Sequence, residues 1–165
     1  MLLLARDAET RGLYPEGRCS SEDSGLDLRA PADACVPAGQ TIRLDLGVRA
    51  AHTSGAGFWL LPRSSLAGTP LLMANSVGLI DRNFRGVLQA AVWNRSPSPY
   101  FIAKGRSLFQ IAAADLAAIG YDFLTEDDPR AGELFGPGAT SRGDGGFGST
   151  GSAGPRGAAE GRGGA

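Results

Sequence analysis

Five short stretches of the sequence carry side chains whose types and spacing suit the chemistry of a phosphate ester. In chain order they are SGLDLRA (24–30), PRSSLA (62–67), NSVGLIDRNFRG (75–86), GRSLFQI (105–111) and SRGDGGFGSTG (141–151). Arginine presents a forked set of donors to phosphate oxygens, and hydroxyl groups add further donors. Aspartates suit a hard cation or the activation of a water molecule, and a phenylalanine ring offers a stacking surface for a base. No nucleophilic side chain is needed.

Each residue in these stretches also has a purely structural interpretation. Asp27 could cap a turn, Arg63 could pair with a surface carboxylate, and Gln110 could satisfy a buried backbone group. Asp81 lies where Asp is favoured in turns on backbone grounds alone. Taken one at a time the structural interpretation is preferred, but the five stretches together favour a site for a phosphate ester.

Several other kinds of site are excluded by residues that the sequence lacks. Gly143, Gly145 and Gly148 spell G-x-G-x-x-G, but no strand precedes them and no helix can follow, as a dinucleotide fingerprint requires. No Gly-Lys-Ser/Thr exists, and Lys104 is the only lysine. With His52 as the sole histidine, Ser-His-Asp or Cys-His catalysis and a histidine-rich zinc site are not expected.

Charge, cysteine content and hydropathy predict the general class of protein. A net charge of −1 gives no basic field for nucleic acid, and Cys19 and Cys35 are too few for a disulfide framework. The opening MLLLA is too short for a signal peptide, and no long apolar stretch suggests a membrane span. We therefore expect a soluble protein, cytoplasmic or nuclear, with no nucleic-acid or membrane partner.

The elements that position these stretches are predicted to be β-strands. Residues 40–50 place Ile42, Leu44, Leu46 and Val48 at period two. Residues 57–62, 77–80, 86–94 and 98–105 form short runs, rich in apolar β-branched or aromatic residues and bounded by turn-forming residues. Residues 107–119 begin as a strand, but their alanine run leaves a helix open. The pattern predicts an all-β sandwich or barrel.

The composition also predicts how the chain is divided. Residues 1–124 form the β core with the first four stretches, and residues 125–140 form an extended arm broken by Pro and Gly. Residues 141–151 carry the last stretch within a flexible, Gly-rich C-terminal arm, and residues 152–165 are expected to be disordered.

Taken in this order, the five stretches resemble the five motifs of the dUTPase family, and GLIDRNFRG and RGDGGFGSTG are the most specific of them. The resemblance spans about residues 24–151. It implies a homotrimer of β jelly-rolls with active sites shared between subunits, in which the 125–140 arm crosses to a neighbour. It further implies Mg²⁺-assisted hydrolysis of dUTP to dUMP and pyrophosphate, which keeps uracil out of DNA and supplies dUMP for thymidylate synthesis.

The resemblance implies a role for each motif residue. Asp81 would be the general base that activates water for attack on the α-phosphate, and Asp27 would hold Mg²⁺ through water. The hairpin around Leu79 and Ile80 would read uracil through its backbone, and Phe84, where the family usually has tyrosine, would pack beneath the deoxyribose. The implied substrate-binding residues are Arg63, Ser64, Ser65, Asn75, Gly78, Leu79, Ile80, Phe84, Gln89, Gln110, Arg142, Phe147, Gly148, Ser149 and Thr150. Of these, Arg142 would grip the phosphates and Phe147 would stack on uracil when the tail closes.

One departure and two alternatives accompany the resemblance. Ser107 stands where the fourth motif carries arginine, so a supporting contact is lost or comes from Arg106. A dCTP deaminase would need a glutamate at the position of Ala91, which cannot do acid–base work. The second alternative is a catalytically weak dUTPase-fold protein that acts as a regulatory or protein-interaction module.

Overall fold

The structure, a computed structural model, describes residues 1–5, 7–14 and 23–141. These residues form a mostly β fold with two short α-helices, α1 (Ala8–Arg11) and α2 (Pro129–Phe135), and a 3₁₀ helix (Ser64–Gly68). None of the helices in the described part is long and apolar enough to span a membrane. The strands are β1 (Leu2–Ala5), β2 (Gly25–Arg29), β3 (Ala34–Val36), β4 (Thr41–Asp45), β5 (Val48–Ala51), β6 (Phe58–Pro62), β7 (Leu71–Met73), β8 (Gly78–Ile80), β9 (Gln89–Asn94), β10 (Tyr100–Ile102), β11 (Ser107–Ala113) and β12 (Asp122–Leu124).

The strands of the described residues pair into four sheets. Their orders are β12-β1-β5, β10-β3, β2-β11-β6-β8 and β4-β9-β7, and every pairing except that of β1 with β12 is antiparallel. Every segment predicted to be a strand contains one. The all-β prediction is therefore confirmed, and the open choice in residues 107–119 is settled as a strand that ends at Ala113, with no helix in residues 114–119.

The main core fills with alternate residues of these strands, as period-two burial requires. Leu28, Leu60, Val92 and Ile111 are all 1% exposed or less. Strand β11 departs from simple alternation because its register with β2 shifts between Ser107 and Phe109. The shift buries Leu108 and Phe109 in succession and leaves Ser107 and Gln110 on the same, non-core face of the sheet, opposite Arg29 and Asp27 respectively.

The segment predicted as an extended arm contains a helix. Within residues 125–140, Pro129–Phe135 form α2 because Asp128 caps it and Pro129 starts it with a suitable φ angle. The helix buries Ala131 and Phe135 against Ala51 and Leu124 of its own chain in a second apolar cluster. The prediction of an extended conformation is therefore wrong for these seven residues. Whether any part of the segment also reaches a neighbouring subunit stays a prediction.

Candidate active site

The first part of the site is built around β8, at one edge of the β2-β11-β6-β8 sheet. The chain reaches it from β7 through a tight turn in which Ser76 adopts φ 61° and Ser76 N–H donates to the Met73 carbonyl at 2.9 Å. Strands β7 and β9 both belong to the β4-β9-β7 sheet, so β8 does not pair with β9 to form the hairpin that was expected around Leu79 and Ile80. The segment instead links two sheets.

Strand β8 offers backbone groups to a ligand because only one of its sides is paired with another described strand. Its register with β6 sets Ile80 opposite Phe58 and Leu79 opposite Trp59. A Cβ on Gly57 would lie 2.9 Å from the Ile80 carbonyl oxygen, which therefore faces β6. In an antiparallel pair the direction alternates, so the backbone N–H and carbonyl of Leu79 face away from the sheet. Leu79 thus presents one donor and one acceptor at this edge.

Asp81 lies directly after β8, in a turn that its own backbone closes. Its carbonyl accepts from the Phe84 N–H at 3.0 Å. Arg85 stabilises the turn because its Nη1 donates to the Arg82 and Phe84 carbonyls at 2.9 and 2.7 Å. Burial lowers the pKa of the Arg85 guanidinium. The turn holds the Asp81 carboxyl half-buried, with the Phe84 ring packed against the core beside it.

Together these elements form a cavity of about 500 Å³, here called the β8 pocket. It gathers seven of the residues predicted for the site: Asn75, Gly78, Leu79, Ile80, Asp81, Phe84 and Gln89. Arg43, Asp45 and Arg49 also line it and were not predicted. Asp45 pairs with Gln89 across β4 and β9. The alternation of residues 40–50 marks Arg43 and Asp45 as facing away from the core, but only the sheet pairing shows what they face.

A second cavity, of about 430 Å³, lies where β2, β11 and β6 run side by side, and is here called the Asp27 cavity. Gln110 on β11 stands between Asp27 on β2 and Leu61 on β6 in register. Arg63 and Ser64 follow the end of β6, where the 3₁₀ helix begins. Sheet register therefore brings together four predicted residues: Asp27, Arg63, Ser64 and Gln110.

The polar groups of the Asp27 cavity contact one another closely. Arg63 Nε lies 2.6 Å from Asp27 Oδ1, and Arg63 Nη1 donates to the Ser107 carbonyl at 2.9 Å. Both side chains of the ion pair stay about one-third exposed, so a ligand can reach them and the pair adds only about 0–1 kcal/mol to stability. Gln110 Nε2 donates to the Pro62 carbonyl at 3.3 Å. Gly25 leaves room for this amide, because a Cβ there would lie 2.3 Å from Gln110 Oε1.

Tyr14 and Arg29 are among the lining residues of the Asp27 cavity that were not predicted. The Tyr14 hydroxyl accepts from the Arg29 backbone N–H at 3.0 Å, and burial raises the pKa of this phenol. Tyr14 therefore stays protonated at neutral pH. Arg29 follows Asp27 by two residues on β2 and so faces the same side of the sheet. Its position in DLRA was visible in the sequence, but nothing there marked it as different from a surface arginine.

Ser65, Ser107 and Arg106 lie outside the lining of both cavities. Ser65 is exposed and donates through Oγ to the Ser107 carbonyl at 3.3 Å. Ser107 donates through Oγ to the Leu28 carbonyl at 3.0 Å. Arg106 is exposed and lines neither cavity, so the structure does not support it as the replacement for the fourth-motif arginine.

The predicted site is thus divided, since none of the described residues lines both cavities. Five further predicted residues, Arg142, Phe147, Gly148, Ser149 and Thr150, lie outside the described residues. The chain that leads to them is tied to the β8 pocket at two places. Thr140 Oγ1 donates to the Asn83 carbonyl at 2.5 Å, in the turn after Asp81. Arg49 Nη1 donates to the Phe135 carbonyl at 3.0 Å.

A metal ion bound only by protein is not supported in the described part of the chain. No group of three or more His, Cys, Asp or Glu side chains there could hold one. Mg²⁺ keeps several waters and is commonly bound by one or two carboxylates together with substrate phosphates, so it needs no such group. The part-exposed carboxylate of Asp27 fits that kind of site.

Comparisons with known proteins agree on one family. The dUTPase family model matches residues 17–151. A deoxyuridine 5'-triphosphate nucleotidohydrolase of Haemophilus ducreyi is 35% identical over 133 residues, covering 78% of this chain and 80% of that protein. The protein of the same name from Hydrogenovibrio crunogenus is 37% identical over 134 residues, covering 78% and 81%.

Solved structures show the same fold. The crystal structure of the dUTPase from Streptococcus mutans matches with a TM-score of 0.54 at 22% identity, covering 66% of this chain and 87% of that one. A point mutant of the dUTPase from phage phi11 of S. aureus, described as coordinating a structural Mg(II) ion, also matches with a TM-score of 0.54 at 16% identity, covering 72% and 92%.

Proposed function

We infer that this chain, which belongs to the dUTPase family, hydrolyses dUTP to dUMP and pyrophosphate as a dUTP diphosphatase. The roles proposed for individual residues rest mainly on the β8 pocket. It places a carboxylate, an aromatic ring and an unpaired strand edge around one cavity large enough for a nucleoside.

The β8 pocket is proposed to bind the nucleoside. The outward backbone N–H and carbonyl of Leu79 suit the alternating acceptor and donor groups of uracil, with Asn75 beside them. The methyl group of thymine would clash with the pocket wall. The amino group of cytosine is a hydrogen-bond donor and would face the Leu79 N–H, which is also a donor. Phe84 is proposed to pack against the deoxyribose, where its ring would exclude a 2'-hydroxyl.

Asp81 is proposed to be the general base. It would hold and deprotonate the water that attacks the α-phosphorus in line, as the P–O bond to the leaving pyrophosphate breaks. The Asp81 carboxyl lines the pocket proposed for the nucleoside, and the attacking water must stand beside the phosphate that is joined to that nucleoside. The closed turn around it fixes its position before substrate binds.

The Asp27 cavity is proposed to bind the phosphate chain. Arg63 and the hydroxyl of Ser64 would supply donors, and Gln110 would add an amide. Ser65 lies outside the cavity lining, so its exposed hydroxyl would have to leave the Ser107 carbonyl to reach a phosphate. Asp27 is the residue that would hold a hydrated Mg²⁺, which when bound offsets charge on the phosphate oxygens. The tail residues Arg142, Phe147, Gly148, Ser149 and Thr150 are proposed to complete the site over bound nucleotide.

A homotrimer is proposed to join the two cavities. The nucleoside and its phosphates are one molecule, yet within the described part of one chain no residue lines both cavities. A β8 pocket of one subunit facing the Asp27 cavity of the next would unite them, and cyclic symmetry would repeat that contact at each interface. The expected cytoplasmic or nuclear location stays a prediction.

The test is pyrophosphate release by purified protein with Mg²⁺, comparing dUTP with dCTP, dTTP and UTP. Rapid release from dUTP alone is the expected result, with loss of activity on adding EDTA and recovery on restoring Mg²⁺. Equal release from UTP would contradict the Phe84 role but leave the diphosphatase assignment in place. No release from any nucleotide would contradict the proposed function itself and favour an interaction module.

A further inference from the structure

The guanidinium of Arg63 is already partly engaged within the protein. Its Nε lies 2.6 Å from Asp27 Oδ1, and its Nη1 donates to the Ser107 carbonyl at 2.9 Å. Only the remaining N–H groups can meet a phosphate without breaking one of these contacts. A polyphosphate in the Asp27 cavity therefore calls for a further cation.

Arg29 is in a position to be that cation. It lines the Asp27 cavity and lies on the same face of β2 as Asp27, two residues away. Among the described residues its guanidinium donates one hydrogen bond, from Nη1 to the Gly105 carbonyl at 3.2 Å. That contact orients the side chain and leaves most of its forked donor set for a ligand.

The neighbouring strand leaves space for the Arg29 side chain. Arg29 stands directly opposite Ser107 in the β2–β11 register, so the two side chains share a face. Ser107 is small, and its Oγ is turned to the Leu28 carbonyl at 3.0 Å. A long side chain at 107 would compete for the volume above this pair, whereas serine leaves it to Arg29.

We propose that Arg29 binds the phosphate chain of the substrate in the Asp27 cavity and supplies the positive charge that Ser107 does not. The inference rests on the proposed dUTP diphosphatase activity and deepens it by adding a substrate-binding residue. Arg106, next to Ser107 in sequence but exposed and outside the cavity, has no such role.

The first experiment measures dUTP hydrolysis by Arg29→Ala, Arg29→Lys and Arg106→Ala. Losing a charged hydrogen-bond partner predicts a fall in kcat/KM of about 10-fold to 100-fold for Arg29→Ala. Arg29→Lys should recover part of it, because lysine keeps the charge but not the fork. Arg106→Ala should match the wild-type protein. Unchanged kcat/KM in Arg29→Ala, or an equal loss in Arg106→Ala, would overturn the proposal.

The second experiment separates ligand binding from a structural role, since Arg29 also contacts Gly105 and Tyr14. Pyrophosphate probes the Asp27 cavity alone, and deoxyuridine probes the β8 pocket alone. Inhibition of Arg29→Ala by pyrophosphate should weaken by about the same factor as kcat/KM, while inhibition by deoxyuridine stays unchanged. Equal weakening of both inhibitors would show a structural role and overturn the proposal. An inactive wild-type protein would instead refute the proposed function, so the two failures are distinct.

Discussion

The two cavities differ in how the chain builds them. Most of the β8 pocket comes from residues 75–89, one stretch of chain whose turns fix Asp81 and Phe84 locally. The Asp27 cavity combines residues near 27, 63 and 110, which meet only because β2, β11 and β6 pair in one register. A substitution in the β8 pocket should therefore affect mainly the substituted residue. A substitution in the Asp27 cavity should also displace the side chains that lie next to it on the neighbouring strands.

The largest effect is expected for Asp81→Asn in the β8 pocket. Asparagine keeps the shape of the side chain but cannot accept the proton of the attacking water. Removing a general base predicts a fall in kcat of about 10²-fold to 10⁴-fold. Because the turn is held by backbone groups and by Arg85, inhibition by deoxyuridine should not change. Steady-state kinetics and deoxyuridine inhibition measure both quantities.

A matched control is Asp115→Asn, which changes an exposed aspartate outside both cavities. It should leave kcat and melting temperature near wild-type values. Turnover by Asp81→Asn within a few-fold of wild type would refute the role of Asp81 as base and move attention to other groups in the pocket.

The next largest effect is expected in a complementation experiment, which tests whether the two cavities of one active site come from different subunits. Asp81→Asn and Arg63→Ala chains, each nearly inactive alone, are co-expressed with different tags and purified through both. If a β8 pocket acts with the Asp27 cavity of a neighbour, each cyclic trimer that contains both variants has one intact site in three, which predicts recovery of about a third of wild-type activity. Activity no higher than that of the separate variants, in assemblies shown to contain both, would mean that each chain completes its own site.

The same contrast explains how much could be predicted from the sequence. Apolar residues at period two predicted the strands, and the five motifs predicted Asp27, Arg63, Asp81 and Gln110. Both kinds of prediction need only a pattern within a short stretch of sequence. Arg29, Arg43 and Arg49 were missed because only the pairing of distant strands shows that they line the cavities. Helix α2 was missed because Pro and Gly suggested a break, whereas Pro129 starts the helix after the Asp128 cap.

A smaller effect is expected for Gly25→Ala in the Asp27 cavity. A Cβ at 25 would lie 2.3 Å from Gln110 Oε1, so the Gln110 side chain must turn away and lose its bond to the Pro62 carbonyl. Because a flexible side-chain end gives way, stability should change by only about 1 kcal/mol. The KM for dUTP should rise several-fold, while deoxyuridine inhibition stays constant. The control is Gly120→Ala, because a Cβ added at residue 120 would have no neighbouring atom within 4 Å. A loss of deoxyuridine binding would show that the cavities are more strongly coupled than their separate linings indicate.

The smallest effect is expected for Asp128→Ala, which lies outside both cavities. The Asp128 carboxylate accepts from the Arg130 N–H at 2.9 Å, and hydrogen bonds from the Arg130 side chain and backbone lower its pKa below the ordinary 3.8. A carboxyl whose pKa is lower in the folded state than in the unfolded state stabilises the fold fully at pH values above its unfolded-state pKa. This stabilisation is lost as the pH falls through the folded-state pKa. Asp128→Ala should therefore melt slightly lower than wild type at pH 7, and the difference should shrink in thermal unfolding as the pH falls through the lowered pKa of Asp128. Since the Phe135 carbonyl at the end of α2 accepts from Arg49 in the β8 pocket, any kinetic effect should appear in deoxyuridine inhibition and not in pyrophosphate inhibition. A change in pyrophosphate inhibition alone would contradict the assignment of α2 to the β8 side of the molecule.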